Sequence, residues 1–94
     1  MNKIEKLTLI EGKFSDDELQ EILNSIFFSK INFHNLKNWS SQERYGKDDE
    51  TAQKRIPELR NEMKKLQEIL TEAKARNKRL LVTSKINISL LDDL

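Results

Sequence analysis

Apolar residues recur along this chain with two different periods, and these periods divide it into four segments. Residues 4–11 are rich in branched aliphatic side chains and stop at Gly12, which predicts a short β-strand. From Leu80 to Leu91 apolar residues occupy alternate positions, the pattern of a strand with one buried face. Between these segments apolar residues recur at steps of three and four, as they do in α-helices. The predicted order is therefore strand, helix, helix, strand.

The first helix is predicted to begin at Ser15. Ser15 and Glu18 have the spacing of a capping box, and Phe14 and Leu19 flank the cap at the spacing of a hydrophobic staple. The pattern is compatible with two positions for the C-terminal end of this helix. The helix either breaks near Trp39, with Ser40 to Glu43 as a second capping box, or continues to Tyr45. Its predicted seam consists of Leu19, Ile22, Ile26, Ser29, Phe33, Leu36 and Ser40.

The second helix is predicted after a turn at Gly46, a residue suited to the left-handed conformation that ends helices. Asp48 or Asp49 can supply its N-cap. Pro57 lies inside the helix and lacks an amide donor, so we expect a kink in a continuous helix. We expect the helix to end near residues 76–78. Its seam has the heptad spacing of a coiled coil: Ala52, Ile56, Leu59, Met63, Leu66, Leu70 and Ala73.

The predicted order indicates an α+β fold in one domain, residues 1–94. Two helices of similar length joined by a tight turn form an antiparallel hairpin, and the flanking strands can pair as a short antiparallel β-ribbon against which the hairpin packs. Phe28, Ile31 and Trp39 fall off the first helix's seam, so one partner helix cannot cover both apolar faces. A two-stranded ribbon also leaves open edges. We therefore expect a homodimer that buries the second face and completes a four-stranded sheet.

Composition narrows the chemistry available to the chain. It has a formal net charge of +1, no cysteine and one histidine, which excludes disulfides, thiolate catalysis and cysteine-based metal sites. With Gly12 and Gly46 as the only glycines, no glycine-rich phosphate loop is present. We therefore expect no cofactor and no enzymatic activity. The helical neighbours of His34 form no catalytic dyad with it; they are Lys30, Lys37 and Asn38.

Aromatic and basic side chains are concentrated in residues 27–47. The aromatic members are Phe27, Phe28, Phe33, Trp39 and Tyr45. The interleaved basic members are Lys30, His34, Lys37, Arg44 and Lys47. No acidic residue lies between Glu21 and Glu43. Such a segment can stack bases and contact phosphates, but the near-neutral net charge favours packing and solvation as its role.

These observations predict a non-catalytic protein-interaction or assembly module that is homodimeric and has a protein partner. We expect a nucleic-acid-associated accessory protein only as the alternative. No apolar run is long enough for a secretory signal or a membrane span, and the terminal Leu-Asp-Asp-Leu is no lipidation signal. We therefore expect a cytoplasmic location and no membrane partner. The expected interaction surface is Phe28, Ile31, Trp39, Arg44, Tyr45 and Lys47.

Overall fold

The computed structural model describes residues 4–92 and confirms the predicted order of elements. The two helices are antiparallel and the two strands form an antiparallel sheet, so the α+β fold is confirmed. The terminal residues, on which the expectation about signals partly rests, lie outside the described range. The elements are strand β1 (Ile4–Phe14), helix α1 (Asp16–Tyr45), helix α2 (Glu50–Ala75) and strand β2 (Leu80–Ser89).

The predicted capping box begins α1. The Glu18 backbone amide donates to Ser15 Oγ at 3.1 Å, and the Ser15 backbone amide donates to Glu18 Oε1 at 2.9 Å. Both the backbone amide and the hydroxyl of Ser15 stabilise the ionised carboxylate, and they lower the pKa of Glu18 below its ordinary value. The cap thus satisfies backbone donors that the first turn of a helix otherwise leaves free.

Replacing Ser15 with alanine is expected to cost about 1 kcal/mol of the free energy of unfolding, because the N-cap acceptor is lost. The matched control is Ser25→Ala, since Ser25 is exposed within α1 and alanine is the better helix former there. Urea unfolding measures the difference, and NMR titration should show the pKa of Glu18 rising towards its ordinary value. Equal losses in the two variants would show that the cap contributes nothing.

Helix α1 is continuous through residues 38–41 and ends before Gly46, whose φ of 68° is left-handed. The alternative with a break near Trp39 is therefore wrong. Two side chains of the last turns bind the following loop: Asn38 Oδ1 accepts from the Asp49 amide at 2.7 Å, and Gln42 Nε2 donates to Asp48 Oδ1 at 2.6 Å. These bonds hold the loop against the C-terminal end of α1.

The predicted seam of α2 faces the protein interior. Its N-cap is Asp49, whose carboxylate accepts from the Ala52 amide at 2.8 Å. Pro57 lies within the continuous helix, as expected, and a kink there stays a prediction. The helix closes in a Schellman motif with Asn77 at φ 53°, where the Lys78 amide donates to the Ala73 carbonyl at 2.9 Å. The buried seam residues are Ala52, Leu59, Leu66, Leu70 and Ala73.

Strand β1 continues past Gly12, so its predicted end at that residue is wrong. Gly12 pairs with Val82, and its φ of 145° is a conformation that glycine adopts without strain. Strand β2 ends at Ser89, two residues before its predicted end. The β-ribbon is thus longer at the hairpin end than the sequence pattern indicated.

A β-bulge at Leu9 aligns the apolar residues of β1. The register shifts between Thr8 and Ile10, so that Leu7 pairs with Ile86 and Ile10 pairs with Ser84. Since residues 84 and 86 share one face of β2, the bulge places Leu7 and Ile10 on that same face. In a regular strand without a bulge, Leu7 and Ile10 are three positions apart and would point to opposite sides.

The core lies where the ribbon meets the open end of the helical hairpin. Leu19 from α1 packs with Leu66 and Leu70 from α2, and the ribbon contributes side chains from both strands. The half-buried residues around this cluster are Phe14, Leu23, Phe27, Leu80 and Val82. The predicted packing of hairpin on ribbon is therefore confined to this end of the molecule.

The predicted inner face of α1 is wrong beyond its first turns. Ile31 and His34 are buried, with 8% and 7% of their surface exposed, whereas Phe33 and Leu36 are 51% and 60% exposed. The inner face includes His34 and the half-buried Asn38. Because these two residues are polar, a search for regularly spaced apolar residues does not find this face. We call the residues facing α2 the inner stripe: Leu19, Leu23, Phe27, Ile31, His34 and Asn38.

The molecule is flat and extended. Its dimensions are 50 × 36 × 15 Å and its Cα radius of gyration is 17.0 Å, against about 12 Å for a compact chain of this length. Helix α1 alone accounts for about 45 Å of length, so the ribbon runs at an angle to the hairpin axis. No large side chain within residues 4–92 is fully buried.

Candidate interaction surfaces

Helix α1 carries a second apolar stripe that α2 does not cover. We call it the outer stripe: Ile22, Ile26, Ser29, Phe33, Leu36 and Ser40. Ile22 and Ile26 are half-buried, while Phe33 and Leu36 are mostly exposed. The steps of four and three between its members match the heptad spacing that keeps a stripe in line along a helix. The sequence pattern thus contains a real apolar face, but it is not the face that packs on α2.

Phe33 lies at the centre of a positively charged part of the outer stripe. The Nζ atoms of Lys30 and Lys37 lie 5.6 Å and 5.7 Å from the centre of its ring. The His34 ring meets it edge-on at 5.4 Å. Within residues 4–92 neither lysine contacts a carboxylate. The two ammonium groups are therefore available to an acidic partner.

The expected interaction residues do not form one continuous patch. Phe28 and Trp39 share another face of α1, about 100° around the helix from the outer stripe, and are 59% and 62% exposed. Tyr45, 70% exposed, lies with Lys47 beside a hollow at the hairpin tip. Arg44 is exposed in the last turn of α1. Ile31 is the exception, because its burial removes it from the exposed surface.

An open groove of about 510 Å³ lies between the helices beside Phe28. Phe28, Ile31 and Met63 give it an apolar floor, and Arg60, Lys64 and Gln67 line its remaining side. The groove contains no carboxylate of its own. It is a surface feature that the sequence pattern did not indicate, since it combines residues from both helices.

The end of the ribbon away from the hairpin exposes a third apolar surface. Leu7, Ile86 and Ile88 lie on the face that packs against the helices further along the ribbon. Here they are 52%, 39% and 44% exposed. Because the described sheet has two strands, each strand also has one unpaired edge. The alternation of apolar and polar residues in β2 predicts which face of the strand is apolar, but it does not predict how much of that face the helices cover.

Side chains that bind metal ions do not cluster within the described part of the chain. No group of three His, Cys, Asp or Glu side chains within residues 4–92 is placed to hold a metal ion. The ring of His34 is buried beside Phe33. In the same part of the chain, neither helix has a stretch apolar enough to cross a bilayer.

Comparison with known proteins gives no family for this chain. It matches no protein-family model, no curated protein and no solved structure.

Proposed function

We propose that this chain is a non-catalytic protein-interaction module that works as a homodimer. The observation that carries the proposal is the amount of surface that the single chain leaves uncovered. It exposes 7871 Å², whereas a compact monomer of this mass exposes about 5,700 Å². An excess of about 2,200 Å² on each chain corresponds to about 4,400 Å² for two copies, which falls within the roughly 2,000–5,000 Å² total that obligate homodimers bury.

The chemistry of the uncovered surface supports the same proposal. Exposed apolar side chains neighbour each other in two places: Phe33 and Leu36 on the outer stripe, and Leu7, Ile86 and Ile88 on one face of the ribbon. Contiguous apolar surface of this kind is typical of interaction sites. The unpaired strand edges add backbone groups that a second chain can satisfy.

The hairpin tip supplies a separate surface for a different protein partner. Trp39 and Tyr45 present large exposed rings, and Arg44 and Lys47 lie near them in sequence. Aromatic residues and arginine are enriched where partners bind tightly. These residues and Phe28, which lies apart from them beside the groove between the helices, are the residues that we propose for contact with the partner. The cytoplasmic location expected above is part of this proposal.

Dilution tests the proposed dimer. Because a dimer is stabilised by mass action, a roughly hundredfold dilution should lower its Tm by about 6 °C. Thermal unfolding followed by circular dichroism at two protein concentrations measures this shift. A Tm that is unchanged by dilution would contradict the proposal.

Nucleic-acid binding is the second candidate function, favoured by the exposed Trp39 and the two lysines beside Phe33. Our proposal predicts that random-sequence oligonucleotide leaves Trp39 fluorescence unchanged at low salt. Salt-sensitive quenching would instead indicate base stacking combined with phosphate contacts, and would favour this alternative. Trp39→Phe provides the matched control for signal that does not come from the indole.

A further inference from the structure

We propose that two copies of this chain bind each other through the outer stripe, with their α1 helices antiparallel. This inference rests on the proposed dimer and assigns its interface and orientation. The occupant of the exposed stripe is thus a second copy of the same helix, and not the ribbon or an unrelated protein.

The spacing of the stripe fits a helix of the same kind. Its steps of four and three keep the apolar side chains on one line over about five turns, which suits lengthwise packing between two helices. In an antiparallel pair, Ile22 and Ile26 of one copy lie beside Leu36 and Phe33 of the other. Each pairing therefore occurs twice, as twofold symmetry requires.

The charge distribution along α1 and the helix dipoles favour the antiparallel orientation. Four of the five acidic residues of α1 lie in its first turns, at positions 16, 17, 18 and 21, and Glu43 is the fifth; Lys30, Lys37 and Arg44 lie in its second half. An antiparallel pair brings the acidic part of each helix beside the basic part of the other. The opposed helix dipoles also favour the antiparallel arrangement.

The middle of the outer stripe permits the two α1 helices of the dimer to approach each other closely. Ser29 lies halfway between Ile22 and Leu36, with two large apolar residues of the stripe on each side. A small side chain at the twofold axis lets the two helix backbones approach while the larger residues pack on either side. Ser29 is exposed in the single chain and so leaves this position free.

Two phenylalanines of α1 provide a matched test of the interface. Phe33→Asp should weaken dimerisation by roughly tenfold or more, while Phe28→Asp should leave it unchanged. Both residues are exposed in the single chain, at 51% and 59%, so neither change removes a core contact. Sedimentation equilibrium gives the dissociation constants, and circular dichroism checks that each variant remains helical. Dissociation caused by Phe28→Asp but not by Phe33→Asp would overturn the inference.

Single cysteines test the orientation in a chain that has none of its own. In an antiparallel pair, Ser29→Cys should form a disulfide between copies under mild oxidation. Ser40→Cys should not, because the two positions would lie about 30 Å apart along the helices. Cross-linking of both variants would show a parallel pair, and cross-linking of neither would show another interface; each outcome overturns the inference.

These outcomes separate the interface from the proposed function. A wild-type chain that sediments as a dimer while Phe33→Asp has no effect leaves the dimer intact and rejects the outer stripe. A wild-type chain that sediments as a monomer rejects the dimer itself.

Discussion

Replacing Leu70 with alanine is expected to remove about 2–5 kcal/mol from the free energy of unfolding. Leu70 is 3% exposed and packs with Leu19 and Leu66 where the ribbon meets the helices. A chain of this length has a total stability of about 5–14 kcal/mol, and its small core has few contacts to compensate. The loss should therefore separate the ribbon from the hairpin at moderate urea concentrations.

The control for Leu70→Ala is Ile69→Ala in the same turn of α2. Ile69 is 51% exposed, so its truncation should change the free energy of unfolding by about 0.5 kcal/mol or less. Urea titrations at one fixed protein concentration compare the two variants, because dimerisation links stability to concentration. Similar losses in both variants would show that the cluster around Leu70 is not the core.

Replacing Pro57 with alanine is expected to raise the free energy of unfolding by about 2 kcal/mol. Proline in a helix interior costs about 3 kcal/mol relative to alanine. Up to about 1 kcal/mol of the gain is lost, because the unfolded chain has more conformational freedom with alanine than with proline. Pro57 lies in the eighth position of α2 and is exposed. The substitution restores an amide donor without disturbing the buried seam.

Gln53→Ala is the control for Pro57→Ala, since Gln53 is exposed one turn earlier in α2. It removes a side chain but restores no backbone hydrogen bond, so its effect should be within about 0.5 kcal/mol. Urea unfolding monitored by circular dichroism measures both variants. A decrease in stability for Pro57→Ala would mean that the ring of Pro57, or the kink predicted at this residue, supports packing that alanine cannot replace.

Local signals predicted the elements of this fold well. The capping box at Ser15, the turn at Gly46 and the buried seam of α2 are each confirmed. The extension of β1 through Gly12 was missed because glycine is typical of strand ends, whereas here it pairs within the strand. Strand length is set by the partner strand, which is distant in sequence.

The inner face of α1 could not be predicted because packing between helices is not read from apolar residues alone. The regular stripe through Phe33 and Leu36 is the stronger pattern in the sequence, yet α2 packs on the stripe that contains His34 and Asn38. Asn38 lies on this stripe because its Oδ1 accepts a hydrogen bond from the backbone amide of Asp49, across the turn. Ile31 was therefore placed on the wrong face, and the most regular stripe remained exposed.

The most direct test of a dimeric interaction module is the solution mass of the full chain, measured by light scattering at moderate salt. We expect a mass near twice the 11.1 kDa of the single chain. Such a mass would show that the uncovered surface is used for self-association. A mass of 11.1 kDa at all accessible concentrations would contradict the account, and would leave the outer stripe exposed in the free protein.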